Sequence, residues 1–320
     1  MTARRLHEAL AGRVLTRSDF RVPRLATVDL RGRTVLEAVP RGKHLLVRVE
    51  GGLTIHTHLM MEGRWQVRRS GTGGRPSARG ASGAAPRDHR VRLVLENAEW
   101  QAVGHSLGIV ELLRTAEEDG AVGHLGPDLL DPTWDAETAA EAVARLGERP
   151  DRAIGEALLD QTRLAGIGNV YKAEILFLRG VHPWTPVRDV PDLPGLVRLS
   201  HRLLDANKER HGHITTGDRS RGREHWVYGR AGRPCRRCGT RIERADQGSG
   251  AGERITYWCP RCQPAARLGV GARPPPRCPG RVAACPGRRI PRPYDRSSAR
   301  DSSKSILGFP YPPLRSTLGR

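Results

Sequence analysis

Four cysteines in the C-terminal third of the chain have the spacing of a metal site. In "CRRCGTRIERADQGSGAGERITYWCPRC", Cys235 and Cys238 form one C-x2-C pair, and Cys259 and Cys262 form a second pair 20 residues later. Each pair brings two thiolates to one side of a tight turn, so the two pairs together complete the tetrahedral set of a closed zinc site. The sequence therefore predicts one structural Zn²⁺. Two disulfides or four free thiols are the alternative.

Two other stretches contain residues that could bind an anion. Arg254 lies near the end of the hairpin expected between the cysteine pairs, where a guanidinium can hold a phosphate through two hydrogen bonds. An exposed arginine is more often only solvated. In "LAGIGNVYKAEILF", Gly166 and Gly168 allow a tight turn, and Asn169 begins the next helix. Its amide and the first N–H groups of that helix could face an anion together, although a capped helix with no ligand is the simpler interpretation.

Composition and charge indicate a polyanionic partner. The chain has 320 residues, enough for about two domains, and a formal net charge of +20. Nucleic acid is the first candidate for the partner, and an anionic membrane surface is the second. The sequence contains no apolar run that could span a bilayer and no apolar stretch of a signal peptide in residues 1–15. We therefore expect a soluble, intracellular protein with no membrane partner, in which cysteines stay reduced.

The last part of the chain differs from the rest. Residues 265–320 contain eleven Arg and one Lys against two Asp, together with ten prolines, and they show no hydrophobic periodicity. Such a segment cannot bury enough apolar surface to fold, so we predict a disordered tail. It is either a basic arm for nucleic acid or the product of an imperfect gene boundary.

The elements that must position these residues fall into separate regions, and they indicate an α+β multidomain protein. "MTARRLHEAL" has the pattern of an amphipathic helix, and the alternating stretches that follow predict an antiparallel β-sandwich over residues 1–115. A Gly/Ser-rich insert between its strands, "SGTGGRPSARGASGAAPRD", is predicted to be a mobile loop. Helices with proline and glycine breaks follow over residues 116–210, and the cysteine module spans 225–264.

Several motifs in one order resemble the formamidopyrimidine-DNA glycosylase and endonuclease VIII family of base-excision repair enzymes. The resemblance runs from residue 1 to about residue 264, and "LLDQ" and "LLDP" favour the actinobacterial endonuclease VIII branch. The motifs that carry it are "RGKHLL", "THLMMEG", "HLGPDLLDP", "LLDQTRLAGIGNVYKAEILF", "VYGRAGRPCRRCG" and "RITYWCPRCQ".

The resemblance implies a fold, an activity and a set of site residues. The fold is an N-terminal helix with a β-sandwich, then a helix-two-turn-helix domain with a zinc ribbon, and DNA lies between them. Lys43 matches the hairpin lysine that reaches the phosphate and assists catalysis. Asn169 matches the residue that grips backbone phosphate, and Arg254 matches the zinc-finger arginine beside the everted nucleotide. Met61 matches the residue inserted where the base has left. Taken alone, Lys43 would be a solvated strand lysine and Met61 a core methionine.

The family's catalytic start is missing from this sequence. Its nucleophile is an N-terminal proline followed by a glutamate, and the sequence instead begins inside the first helix. Either the true start lies upstream and the protein is an active glycosylase and abasic-site lyase, or the chain binds lesions in oxidised DNA without cleaving them. The alternative from another class is a non-catalytic, zinc-dependent DNA-binding protein. The resemblance implies a cytoplasmic, nucleoid-associated bacterial protein, and we expect a monomer with no obligate protein partner.

Overall fold

The computed structural model describes residues 1–60, 62–70, 88–210 and 212–265. Met61, most of the Gly/Ser-rich insert and the basic tail beyond residue 265 therefore lie outside the described residues. Within the described part, no helix combines the length and the apolar character that crossing a membrane requires.

The N-terminal part consists of one helix and two antiparallel sheets. Helix α1 covers Thr2–Leu10, and Gly12, just past its C-cap, has the left-handed φ of +72° that glycine tolerates. The strands are, in chain order, β1 (Arg13–Val14), β2 (Arg17–Phe20), β3 (Thr34–Arg41), β4 (His44–Val49), β5 (Leu53–His58), β6 (Arg64–Arg69), β7 (Val91–Glu96), β8 (Trp100–His105) and β9 (Ile109–Arg114). One sheet has the order β1-β3-β4-β5-β9 and the other has the order β2-β7-β8-β6.

A shared apolar core shows that these two sheets form the predicted sandwich. Val47 and Ile55 from one sheet and Leu93 from the other belong to the same buried cluster, together with Leu6 and Leu10 of α1. The apolar face predicted for "MTARRLHEAL" is therefore the face that covers the sandwich core.

A helical region follows the sandwich. Its helices are α2 (Glu118–Val122), α3 (Ala136–Gly147), α4 (Ile154–Ala157), α5 (Asn169–Arg179) and α6 (Leu193–Asn207). Helix α5 lies at the centre, since its residues from Tyr171 to Phe177 are all buried. Gly180 ends α5 with a φ of +68°, which confirms the stop predicted from the sequence. Short 3-10 turns complete the connections at Pro23–Leu25, Thr115–Glu117, Val187–Asp189 and Gly250–Gly252.

The cysteine module packs against one face of α5. Its hairpin consists of β10 (Glu243–Gln247) and β11 (Arg254–Trp258), which pair antiparallel. Ala173 and Phe177 of α5 share a buried cluster with Cys235, Ile242 and Cys259. Because the opposite face of α5 packs in the helical core, this helix connects the zinc module to the rest of the protein.

The fold class predicted from the sequence is confirmed, but the burial of one strand differs from the expected alternation. In β5, Thr54 and His56 are buried although they alternate with the core positions. The outer face of this strand is covered at Thr54, whose hydroxyl donates to Glu118 of α2 at 2.5 Å, while His56 lies between His44 and Glu111 of the neighbouring strands β4 and β9. The sheet is therefore buried on both faces where the helical region meets it.

Candidate nucleic-acid interface and zinc centre

The four cysteines of the module converge as a zinc site requires. Their sulfur atoms all lie within 4.8 Å of one another, with Cys238 and Cys259 3.4 Å apart and Cys235 and Cys262 4.0 Å apart. A tetrahedron with Zn–S bonds of about 2.3 Å has sulfur atoms about 3.8 Å apart, so the set fits one Zn²⁺ with no open coordination position. No disulfide joins any of the four, which rules out the alternative of two disulfides, and their convergence favours one shared metal ion over four separate thiols.

The zinc hairpin presents Arg254 at its turn end. Arg254 pairs with Gln247 as the last register position of the hairpin, and Cys259 follows the same strand directly. The metal site therefore fixes the base of the strand that carries Arg254. The residue is exposed, and one guanidinium N–H donates to the carbonyl oxygen of Glu253 at 2.7 Å.

The turn between β3 and β4 carries Lys43 to the helical region. Gly42 has a φ of +56°, and its N–H donates to the carboxylate of Asp128 at 2.6 Å. The ammonium of Lys43 donates to the carbonyl oxygen of Ile167 at 2.5 Å, in the glycine-rich turn before α5. Two hydrogen bonds across 86 and 124 residues of sequence therefore fix the position of this lysine.

Asn169 joins the same turn to the zinc hairpin. It is the first residue of α5, and its side-chain N–H donates to the carbonyl oxygen of Ile255 at 2.8 Å. Within the described chain, its buried Oδ1 has no hydrogen-bond partner. The side-chain amide of Asn169, which the sequence indicated as a possible anion contact, therefore also connects α5 to Ile255, the residue after Arg254.

The charges at this junction influence each other. Lys43 is exposed along its side chain, while its ammonium lies against the turn before α5 and donates to the carbonyl oxygen of Ile167. Desolvation and, secondly, the positive charge of Arg254 lower the pKa of Lys43 to about 8. The structure therefore brings Lys43, Asn169 and Arg254 together from three distant parts of the sequence. A site with an excess of fixed cations and helix N–H groups is suited to an anion such as phosphate.

Met60, the residue before Met61, lies within the described part of the chain. Met60 has a left-handed φ of 51° and is exposed. Its side chain lies over Gly108 in the turn between β8 and β9, where a Cβ on the glycine would stand 2.2 Å from the methionine Cγ.

Sequence reasoning missed a chain of histidines beside Lys43. His44 Nδ1 lies 2.8 Å from His56 Nε2, and His56 Nδ1 lies 2.9 Å from a carboxylate oxygen of Glu111. The rings of His44 and His58 are 4.6 Å apart. Burial and the neighbouring histidines lower the pKa of His44 to about 4, so this ring is neutral at pH 7. The alternation in "GLTIHTHL", next to a strand that begins with His44, is the signal that could have predicted the cluster.

Lys43 and Arg254 lie where the β-sandwich, the helical region and the zinc hairpin meet. This arrangement is typical of a nucleic-acid-binding protein with a structural zinc site. Family models identify the class further. The formamidopyrimidine-DNA glycosylase N-terminal domain matches residues 1–105, the H2TH domain of the same enzyme matches residues 125–194, and the zinc finger found in FPG and IleRS matches residues 232–265.

Curated relatives agree with these models. A probable endonuclease 8 2 of Streptomyces coelicolor is 56% identical over 288 residues, which cover 89% of this chain and 96% of the relative. A DNA-(apurinic or apyrimidinic site) lyase Nei2 of Mycolicibacterium smegmatis is 48% identical over 265 residues, covering 83% and 96%. Among solved structures, the Lactococcus lactis Fpg bound to Fapy-dG-containing DNA has a TM-score of 0.65 and 25% identity, covering 82% of this chain and 97% of that chain.

The chain belongs to the formamidopyrimidine-DNA glycosylase and endonuclease VIII family, whose members are base-excision repair enzymes with DNA glycosylase and abasic-site lyase activity. The family, the enzyme class and the single structural zinc predicted from the sequence are thereby confirmed.

Proposed function

We propose that Lys43, Asn169 and Arg254 form one binding site for the phosphates of a DNA strand that carries an oxidised base or an abasic site. The observation that carries this proposal is the convergence of the three residues at the turn before α5. Lys43 contacts the carbonyl oxygen of Ile167, and Asn169 contacts the strand of Arg254. DNA is the partner on which the family acts, and the net charge of +20 suits a polyanion.

Each residue has a distinct part in this site. The guanidinium of Arg254 can hold a phosphate through two parallel hydrogen bonds, while the first N–H groups of α5 offer partial positive charge beside Asn169. Lys43 supplies a point charge as the ammonium form. With a pKa of about 8, it also exchanges a proton within reach of the lesion at physiological pH. Met61 is proposed to fill the space of the everted base, because a flexible apolar side chain can stack between bases.

A competition assay at fixed salt tests the proposal. The chain is expected to prefer a duplex with an abasic site over an intact duplex, because a missing base costs less to unstack. Equal affinity for the two duplexes would instead support a zinc-dependent DNA-binding protein without lesion recognition. Salt dependence alone does not separate the two functions, since both depend on phosphate contacts.

The expectation about the Pro-Glu start stays a prediction, and N-terminal sequencing of the protein from its own cells is the measurement that decides it. In the structure, the ammonium of Met1 donates to the carbonyl oxygen of Lys208 at 2.6 Å, at the end of α6. An N-terminus that reads Pro-Glu would supply the secondary amine of the family mechanism.

We also infer that the protein works as a monomer at the nucleoid, with no obligate protein partner. The three proposed phosphate contacts come from one chain, so a second copy is not needed to complete them. Light scattering of the purified protein, alone and with a lesion duplex, tests the stoichiometry. Imaging of a fluorescent fusion tests the nucleoid association.

A further inference from the structure

Lys172 is a fully buried lysine that the site described so far does not use. It lies one turn after Asn169 on α5, and its exposed fraction is 0%. Burying an ammonium group is costly unless hydrogen bonds compensate it. Its Nζ donates to the hydroxyl of Thr256 on β11, so the compensation comes from the zinc hairpin.

The hydrogen bonds continue from Thr256 into the helical region. The Thr256 hydroxyl donates in turn to Gln247 Oε1 at 3.1 Å, and Gln247 Nε2 donates to the carbonyl oxygen of Pro183 at 2.8 Å. Each group in this chain donates in the same direction. A Cβ at Gly155 would stand 2.3 Å from Gln247 Oε1, so the absence of a side chain on α4 makes room for the glutamine.

This chain runs beside the contact made by Asn169. Residues three apart on a helix face the same side, so Asn169 and Lys172 both point towards β11. Asn169 bonds to the main chain of Ile255, and Lys172 bonds to the side chain of Thr256. Ile255 and Thr256 directly follow Arg254 in the chain. The two contacts therefore fix the position of β11 against α5, and with it the strand that presents the guanidinium.

Charge also connects Lys172 with the phosphate site. Burial lowers the pKa of Lys172 to about 8, the carboxylate of Glu156 raises it, and the positive charge of Arg254 lowers it further. Arg254 acts on Lys43 in the same direction. The buried ammonium of Lys172 therefore lies within electrostatic range of the Arg254 guanidinium.

We propose that Lys172 is a positioning residue that, through Thr256 and Gln247, holds Arg254 in place for the damaged DNA strand. This inference rests on the proposed role of Arg254 in DNA binding. It assigns the buried lysine to lesion recognition and not to core packing alone, because an apolar side chain of similar length would pack there without the cost of burying a charge.

The test compares the affinities of purified, zinc-loaded variants for abasic and intact duplexes at fixed salt. Lys172→Met removes the ammonium at similar length, and Lys208→Met removes an exposed lysine as the control for net charge. Thr256→Val removes the acceptor at constant volume, and Thr256→Ser restores the hydroxyl. Zinc content and melting temperature establish that each variant is folded.

Lys172→Met and Thr256→Val are expected to reduce the preference for the abasic duplex about tenfold, as the loss of a hydrogen bond to a charged group implies. Thr256→Ser and Lys208→Met are expected to retain that preference. Combined with Arg254→Ala, Lys172→Met should cause little further loss of preference, because both changes act on the same contact between Arg254 and the DNA.

Two outcomes would overturn the inference while leaving the proposed function standing. The first is a native preference in folded Lys172→Met and Thr256→Val, and the second is a loss that adds fully to that of Arg254→Ala. Failure of the proposed function has a different signature, since Arg254→Ala alone would then leave lesion binding unchanged. Should Lys172→Met lose its zinc, the comparison of Thr256→Val with Thr256→Ser decides the question.

Discussion

The ammonium of Lys43 donates to the main-chain oxygen of Ile167, and this contact joins the β-sandwich to the turn that starts α5. The lysine thereby lies near the first N–H groups of α5 and within electrostatic reach of Arg254. A phosphate bound here would contact the sandwich, the helical region and the zinc hairpin at once. The domain junction is therefore also the proposed binding site.

Lys43→Met should weaken binding to an abasic duplex by about tenfold or more, since it removes one phosphate contact and its charge. Lys43→Arg keeps the charge but not the geometry, so it should recover only part of the affinity. Measured against the logarithm of salt concentration, the slope for Lys43→Met should be about one phosphate contact smaller. An unchanged affinity and slope would show that Lys43 makes no contact with a DNA phosphate.

Raising the pH should weaken DNA binding and strengthen the fold. Lys43 and Lys172 both have a pKa of about 8 in the folded chain, below the usual value for lysine of 10.5. They lose their charge as the pH rises through 8, so phosphate affinity should fall between pH 7 and 9. The unfolded chain binds more protons in the range from 8 to 10.5, so the contribution of these lysines to the free energy of unfolding should increase with pH there.

Titrations of affinity and of urea midpoint at pH 7, 8 and 9 check both signs. Lys43→Met should flatten the affinity profile, and Lys172→Met should flatten the stability profile. Profiles that both run in the same direction, or that no lysine variant changes, would contradict this assignment of the pKa values.

The sequence predicted the elements whose signals are local. The cysteine spacing predicted the zinc centre, and Gly180 predicted the end of α5 because a left-handed residue stops a helix. The buried lysine on α5 was not predictable in this way. Periodicity indicated one apolar face for this helix, whereas the structure buries one face against the zinc module and the opposite face in the helical core. Which partners cover a surface depends on contacts between distant segments, and the same holds for Thr54 and His56 of β5.

Asp128→Ala should weaken DNA binding by Lys43, although Asp128 contacts the preceding Gly42 and not the lysine itself. The carboxylate of Asp128 accepts hydrogen bonds from the N–H groups of Gly42 at 2.6 Å and Leu130 at 2.9 Å, and it is buried. Its removal leaves two N–H groups unpaired, which costs about 1–3 kcal/mol each when they stay buried. We expect a lower melting temperature and weaker lesion binding that is not additive with Lys43→Met.

Asp131→Ala is the matched control for Asp128→Ala, because Asp131 lies in the same loop and its contacts are at the surface. Its carboxylate accepts from the N–H and the hydroxyl of Thr133 at 2.9 and 2.7 Å and pairs with Arg41 at 3.6 Å. This variant should change melting temperature and affinity little. Equal effects of the two variants would show that the loop as a whole, and not the contact with Gly42, supports the lysine.

Arg254→Ala should lower the preference for an abasic over an intact duplex, and Arg254→Lys should restore charge without the two-pronged geometry. Zinc content and melting temperature should stay native, because Arg254 is exposed at the turn end of the hairpin. Arg244→Ala on the partner strand, also exposed, is the control. If Arg254→Ala still prefers the abasic duplex, Arg254 is a solvated surface residue with no part in lesion binding.

Removing zinc should abolish lesion recognition before it unfolds the sandwich. The metal closes the base of the hairpin that carries Arg254, whereas the sandwich core lies in a separate buried cluster. Cys259→Ser, or treatment with a chelator, should therefore release zinc and disorder the hairpin. Abasic-site preference should then be lost while circular dichroism still shows the strands of the sandwich.

Cys285→Ser provides the control, since Cys285 lies in the C-terminal tail at no ligand spacing from the four cysteines. It should retain one zinc per chain and native affinity. A Cys259→Ser variant that keeps its zinc, resists the chelator and still prefers the abasic duplex would refute both the metal assignment and the dependence of Arg254 on it.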